Sequence, residues 1–177
     1  MKTQQVISFA DFRQLLKTLP PHDFRQYVLE VLEASSMFEQ LLPTQILKPR
    51  IIDILARTRV KSRTPIPLTE LPLCAIEIMP RQLPMTVIEI DNLFKKWEDV
   101  KMWHPDIDFL VIAPSEVSEG AYERAQNGGM DIWDARDLFL LTTSDTQRRY
   151  FKATFSEVLP NENIVRPVQL EHYSPQD

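Results

Sequence analysis

A chain of 177 residues, 44% hydrophobic and 25% charged, suits one globular domain with a core of its own. Its apolar runs are of strand length, which argues against a membrane-spanning helix, and Met1-Lys2-Thr3-Gln4-Gln5 lacks the apolar stretch of a signal peptide. The net charge of -5 hides a division: residues 1–65 carry ten Lys/Arg against six Asp/Glu, and residues 66–177 carry ten against nineteen. Overall acidity argues against a protein coated in nucleic acid but leaves room for a local basic face. The single cysteine, Cys74, excludes an intrachain disulfide and suits a reducing, cytoplasmic setting. Scattered histidines give no zinc pattern, and scarce glycine gives no phosphate-cradling loop.

Ser8 can cap a first helix whose apolar residues Phe12, Leu15, Leu16 and Leu19 recur at helical spacing. Pro20-Pro21 ends it, and Pro21 or His22 opens a second helix with Phe24, Tyr27, Val28, Val31 and Leu32 inward. The tetrad Asp-Phe-Arg-Gln occurs at Asp11–Gln14 and again at Asp23–Gln26. One echo of that length reads as two helix starts with the same needs, not as a repeat. Met37–Leu42 reads as a first strand or a last helical turn, closed by Pro43.

Two short apolar segments follow, each with one carboxylate in its middle: Arg50–Ala56 around Asp53, and Leu73–Met79 around Glu77. A charge in an apolar strand is costly to bury unless it is paired or holds a metal. Two readings follow, a divalent-metal site and a set of structural ion pairs with arginine. Basic residues then fall on alternate positions, Arg57, Arg59, Lys61 and Arg63. An unbroken strand would place them on the face of Asp53, with Ile52, Ile54, Ala56 and Val60 towards the core. That row is either a phosphate track or a solvated strand face. Pro65, Pro67 and Pro72 make residues 64–72 a loop. In the next strand Leu73, Ala75, Glu77 and Met79 share one face, and Cys74, Ile76 and Ile78 the other. Cys74 reads as a buried small hydrophobe.

Thr86 or Pro84 starts a helix from Val87 to about Met102, with Ile90, Leu93, Phe94 and Trp97 inward. Phe109–Ala113 is a buried strand. A short helix runs from Ser115 or Ser118 to Gln126 and stops at Asn127-Gly128-Gly129. Met130–Trp133 is a last strand, and Asp134 caps a turn into Leu138–Leu141. One more helix is expected over Asp145–Leu159, with a poorly ordered tail from Asn161. Trp97, Trp103 and Trp133 read as core or interface residues.

This order of elements, with Ile52-Asp53-Ile54 on one strand and Ile76-Glu77-Ile78-Met79 on the next, resembles the Mrr-like branch of the PD-(D/E)XK nuclease superfamily. The resemblance covers roughly residues 20–140. It implies an α/β, restriction-endonuclease-like fold: three layers, with a central mixed sheet flanked by helices. The chain then divides into an N-terminal helix (1–20), a core (21–141), and a C-terminal helix with a disordered tail (142–177). It implies Mg²⁺ held by Asp53, Glu77 and the backbone carbonyl of Ile78, and DNA as the partner, met by Arg57, Arg59, Lys61 and Arg63. Three departures stand out. Met79 occupies the position of the family's catalytic lysine, Arg25 lies near that of a helix glutamate, and Asp53 and Glu77 are 24 residues apart. Arg81, Lys95 and Lys96 are the cations near enough in sequence to replace the lysine, Arg81 first. Three functions follow: a nuclease-like domain with a degenerate site, an active Mg²⁺-dependent endonuclease with a migrated lysine, or a protein-interaction module that keeps only the fold.

Overall fold

The structure, a computed structural model, describes residues 8–47, 49–80 and 83–143. Ser8 caps helix α1 (Phe9–Thr18), its hydroxyl accepting the Asp11 N–H at 3.1 Å. Helix α2 (Pro21–Ala34) starts on a proline, a position where no N–H is needed. Asp11 and Asp23, the heads of the two identical tetrads, both lie in the first turn of a helix. There a carboxylate meets the positive end of the helix dipole, so the echo marks two helix starts.

Five strands follow in one sheet: β1 (Phe38–Leu47), β2 (Arg50–Thr58), β3 (Leu73–Ile78), β4 (Asp108–Ile112) and β5 (Asp131–Trp133). Their spatial order is their chain order. The β1–β2 and β2–β3 pairs are antiparallel; β3–β4 and β4–β5 are parallel. The parallel pairs are joined through α3 (Val87–Lys101) and α4 (Glu119–Asn127), and α5 (Ala135–Thr143) follows β5. Thr86 and Glu89 form a capping box that starts α3, and Ser118 caps α4.

Alternation along β3 divides the core in two. Cys74, Ile76 and Ile78 meet Phe12, Leu16, Tyr27, Val31 and Phe139 from α1, α2 and α5. Ala75 on the other face joins Phe94, Trp97, Phe109 and Val111 beneath α3 and α4. The architecture is therefore α/β and restriction-endonuclease-like: a mixed sheet between two helical layers, as expected. β4 is an interior strand, with Phe109, Leu110, Val111 and Ile112 all buried.

Several local expectations change. Pro43 does not close the first strand; β1 runs on to Leu47, because β1 is an edge strand and can spare a ladder N–H. β2 stops at Thr58, so Arg59, Lys61 and Arg63 leave the strand and share no face with Asp53. Val60 is exposed for the same reason, while Ile52, Ile54 and Ala56 are buried as expected. Trp97 is core, but Trp103 is 66% exposed. Residues 135–143 form a helix and not only a turn. The expected helix over Asp145–Leu159 and the tail lie outside the described residues.

The α3–α4 contact is close. A Cβ on Gly128 would lie 2.0 Å from Cζ of Phe94, and the Arg124 guanidinium, bonded to Asp91 at 2.8 Å, lies 4.5 Å over the same ring. The ring cannot retreat cheaply, so Gly128→Ala should destabilise the protein by about 1–3 kcal/mol in urea denaturation. A second prediction concerns Cys74. Burial first, then the charges of Asp108 and Asp131, push its thiol from 9.0 up to about 12. Between those values the unfolded thiol has lost a proton that the folded one keeps, so raising the pH favours unfolding. Stability should fall more steeply from pH 9 to 12 in the wild type than in Cys74→Ala.

Candidate active site

β2 and β3 bring Asp53 and Glu77 together. Their ladder runs from Arg57↔Leu73 to Ile54↔Ile76, one residue short of the two carboxylates. Where the next backbone bond would form, the Asp53 side chain takes over: its Oδ2 accepts the Ile78 N–H at 2.8 Å. The two carboxyl groups are close neighbours on the α3 side of the sheet. Asp53 is half-buried; Glu77 is 5% exposed.

The third member comes from α3. Lys96 Nζ is ion-paired with Glu77 Oε1, the Lys96 side chain being 29% exposed and that of Glu77 7%. Oε1 is fully buried without a well-directed hydrogen bond, so the ammonium is its electrostatic partner. Burial raises the Glu77 carboxyl above its ordinary range; Lys96 opposes the shift, and Asp53 adds to it. One turn further along α3, Asp99 accepts the Arg50 Nε at 2.9 Å, fastening the start of β2 to the helix that carries Lys96.

The other named residues divide. Met79 is half-buried against the α3–α4 core and carries no charge to the site. Ile78 meets Asp53 through its amide, and its side chain lies in the opposite core. Arg81 lies outside the described residues. Arg25 is exposed on α2 and Lys95 is exposed on α3. Arg57 Nη1 donates to the carbonyls of Leu71 (2.9 Å) and Thr69 (3.2 Å), bracing the loop before β3. Arg59 is paired with Glu39 at 2.7 Å. Lys61 and Arg63 are exposed, and Arg63 lines a cleft of about 550 Å³ with Val60, Ile66, Leu68 and Leu71, apart from the carboxylates. The sequence signal for Lys96 was slight: a lysine one residue before a core tryptophan, at the flank of an amphipathic helix.

No family model matches the chain, and no curated protein matches it in sequence. Two solved structures are similar in fold. A repair endonuclease from Pyrococcus abyssi has a TM-score of 0.49 at 11% identity, over 66% of this chain and 46% of that one. EndoMS, in a complex with double-stranded DNA, has a TM-score of 0.48 at 15% identity, over 66% of this chain and 45% of that one. The chain spans less than half the length of either protein.

The donor set suits a hard divalent cation: two adjacent carboxylates, all-oxygen and anionic. Among the described residues no group of three or more His, Cys, Asp or Glu side chains is placed to hold a metal ion. Mg²⁺ sites commonly use one or two carboxylates and complete the shell with water and substrate phosphate. Lys96→Met leaves Glu77 buried without its counter-charge and should destabilise the fold by about 1–3 kcal/mol. Adding Glu77→Gln should recover most of that loss in a double-mutant urea cycle.

Proposed function

We propose that this chain is an Mrr-like variant of the PD-(D/E)XK nucleases, a metal-dependent phosphodiesterase acting on DNA, in which Lys96 replaces the strand lysine absent at Met79. The observation that carries the reading is the Lys96–Glu77 ion pair beside Asp53. It joins two carboxylates and one ammonium from β2, β3 and α3 on one face of the sheet. Lys96 is the cation that acts on the Glu77 carboxyl.

Asp53 and Glu77 would hold Mg²⁺, which when bound polarises a phosphate and lowers the pKa of a water. The Ile78 N–H fixes the Asp53 carboxylate by holding its Oδ2. The Lys96 ammonium, already desolvated along its stem, orients the attacking water and offsets the negative charge that grows on the phosphate oxygens. Lys61 and Arg63, exposed beyond β2, are the residues of the basic row that would contact phosphate. Arg57 and Arg59 are held by protein acceptors.

A second reading, a DNA-binding domain with a degenerate site, is favoured by the apolar packing of Met79. Plasmid nicking in Mg²⁺ or Mn²⁺ separates the two. Wild type should nick, Asp53→Ala should be silent, and Lys96→Met should lose about two to three orders of magnitude in rate. Equal rates for Lys96→Met and wild type would defeat the role given to Lys96. A silent wild type that binds DNA, with a salt slope reduced by about one for each of Lys61→Ala and Arg63→Ala, would select the degenerate site. Silence without DNA binding would select a protein-interaction module.

A further inference from the structure

Asp53 reaches its neighbours because the β1–β2 ribbon turns over at that residue. Near the base of the ribbon, Leu41, Ile54 and Ala56 pack into the core beneath α1, α2 and α5. Towards its tip, Leu47 and Ile52 pack into the core beneath α3 and α4. Ile52 and Ile54 are two residues apart, so a regular strand would place them on the same face. Both strands change face at one level. The register passes from Pro43↔Ile54 to Gln45↔Ile52, with no pair between Thr44 and Asp53.

The break is built into the chain. Thr44 has φ 48°, the left-handed region that a β-branched residue avoids. The carbonyls of Pro43 and Thr44 accept the Gln45 side-chain amide at 2.9 and 3.4 Å, so local donors serve the backbone where the ladder fails. Opposite Thr44, the Asp53 carboxylate leaves its own strand and takes the Ile78 N–H. A strained backbone persists only where its surroundings over-determine it, and here those surroundings are the two cores that draw the ribbon to opposite faces.

We infer that Thr44 is a positioning residue: its left-handed backbone turns the ribbon over and delivers the Asp53 carboxylate to Ile78 and Glu77. The inference rests on the site proposed above, but its test needs neither metal nor substrate. The measurement is NMR on the full, metal-free chain, reading the Thr44 Cα and Cβ shifts and the hydrogen exchange of the Ile78 amide. Asn and Gly accept positive φ, whereas Pro fixes φ near about -65°. Thr44→Asn and Thr44→Gly should keep the Ile78 amide protected, and Thr44→Asn should raise Tm by about 2–4 °C. Thr44→Pro should speed Ile78 exchange at least about tenfold, to the level of Asp53→Ala, while Leu110 and Val111 stay slow. Unchanged Ile78 protection in Thr44→Pro overturns the inference. Extended-strand shifts for Thr44 in the wild type overturn it too, even if Thr44→Pro does not fold. The expected exchange pattern beside a silent nicking assay supports the positioning role and counts against the nuclease.

Discussion

Glu77 sets the terms for the rest of the site. A carboxylate almost sealed from water, with a second carboxylate beside it, is unfavourable twice over, by desolvation and by repulsion. Each neighbour answers part of that cost. Lys96 supplies the opposite charge to Glu77, and the Ile78 N–H supplies a donor to Asp53. Well-packed apolar residues in place of a buried ion pair often stabilise a fold as well or better. The place of Glu77 beside the buried Ala75, Ile76 and Ile78 of β3 is the physical reason for assigning it a task.

That constraint accounts for features that look unrelated. The β2–β3 ladder ends one residue before the carboxylates because an Asp53 side chain cannot bond the Ile78 amide while a backbone carbonyl does so. The ribbon beyond that point swings over α3, where Arg50 is tied to Asp99 and Leu47 and Ile52 enter the second core. Among the described residues no helical layer covers its outer face, and the cross-strand pair Ile46 and Ile51 is 74% and 61% exposed.

Most of the fold was legible because its elements are written in strong local signals. Ser8, Pro21, Thr86 and Ser118 mark helix starts by capping chemistry or by the proline preference for the first turn, and β3 shows strict alternation between two cores. Asp53 and Glu77 were legible as charges in apolar strands. What could not be read depends on three-dimensional context. Whether Pro43 ends a strand depends on whether that strand lies at an edge. Whether Arg57 and Arg59 face solvent depends on the carbonyls of a loop and on Glu39 in another strand. The end of β2 at Thr58 has no sharp signal nearby, and alternation alone carried the basic row past it to Arg63.

Lys96 shows how a helix can do what a strand position does not. Met79 follows directly on β3, its N–H still bonded to the Ile112 carbonyl at 2.9 Å, so its side chain points where the pleat sends it. A residue on α3 has its direction fixed by helix rotation, at about 100° per residue. That rotation is set by the neighbour of Lys96: the Trp97 ring stacks on Phe109 at 5.4 Å with planes 16° apart, and Phe94 packs against it at 5.8 Å. With Trp97 held inward, position 95 is carried to solvent and position 96 to the flank that borders β3. The same lysine one residue earlier would meet water, and one residue later it would displace the core. The aromatic stack that holds α3 on the sheet is therefore also what aims the ammonium at Glu77.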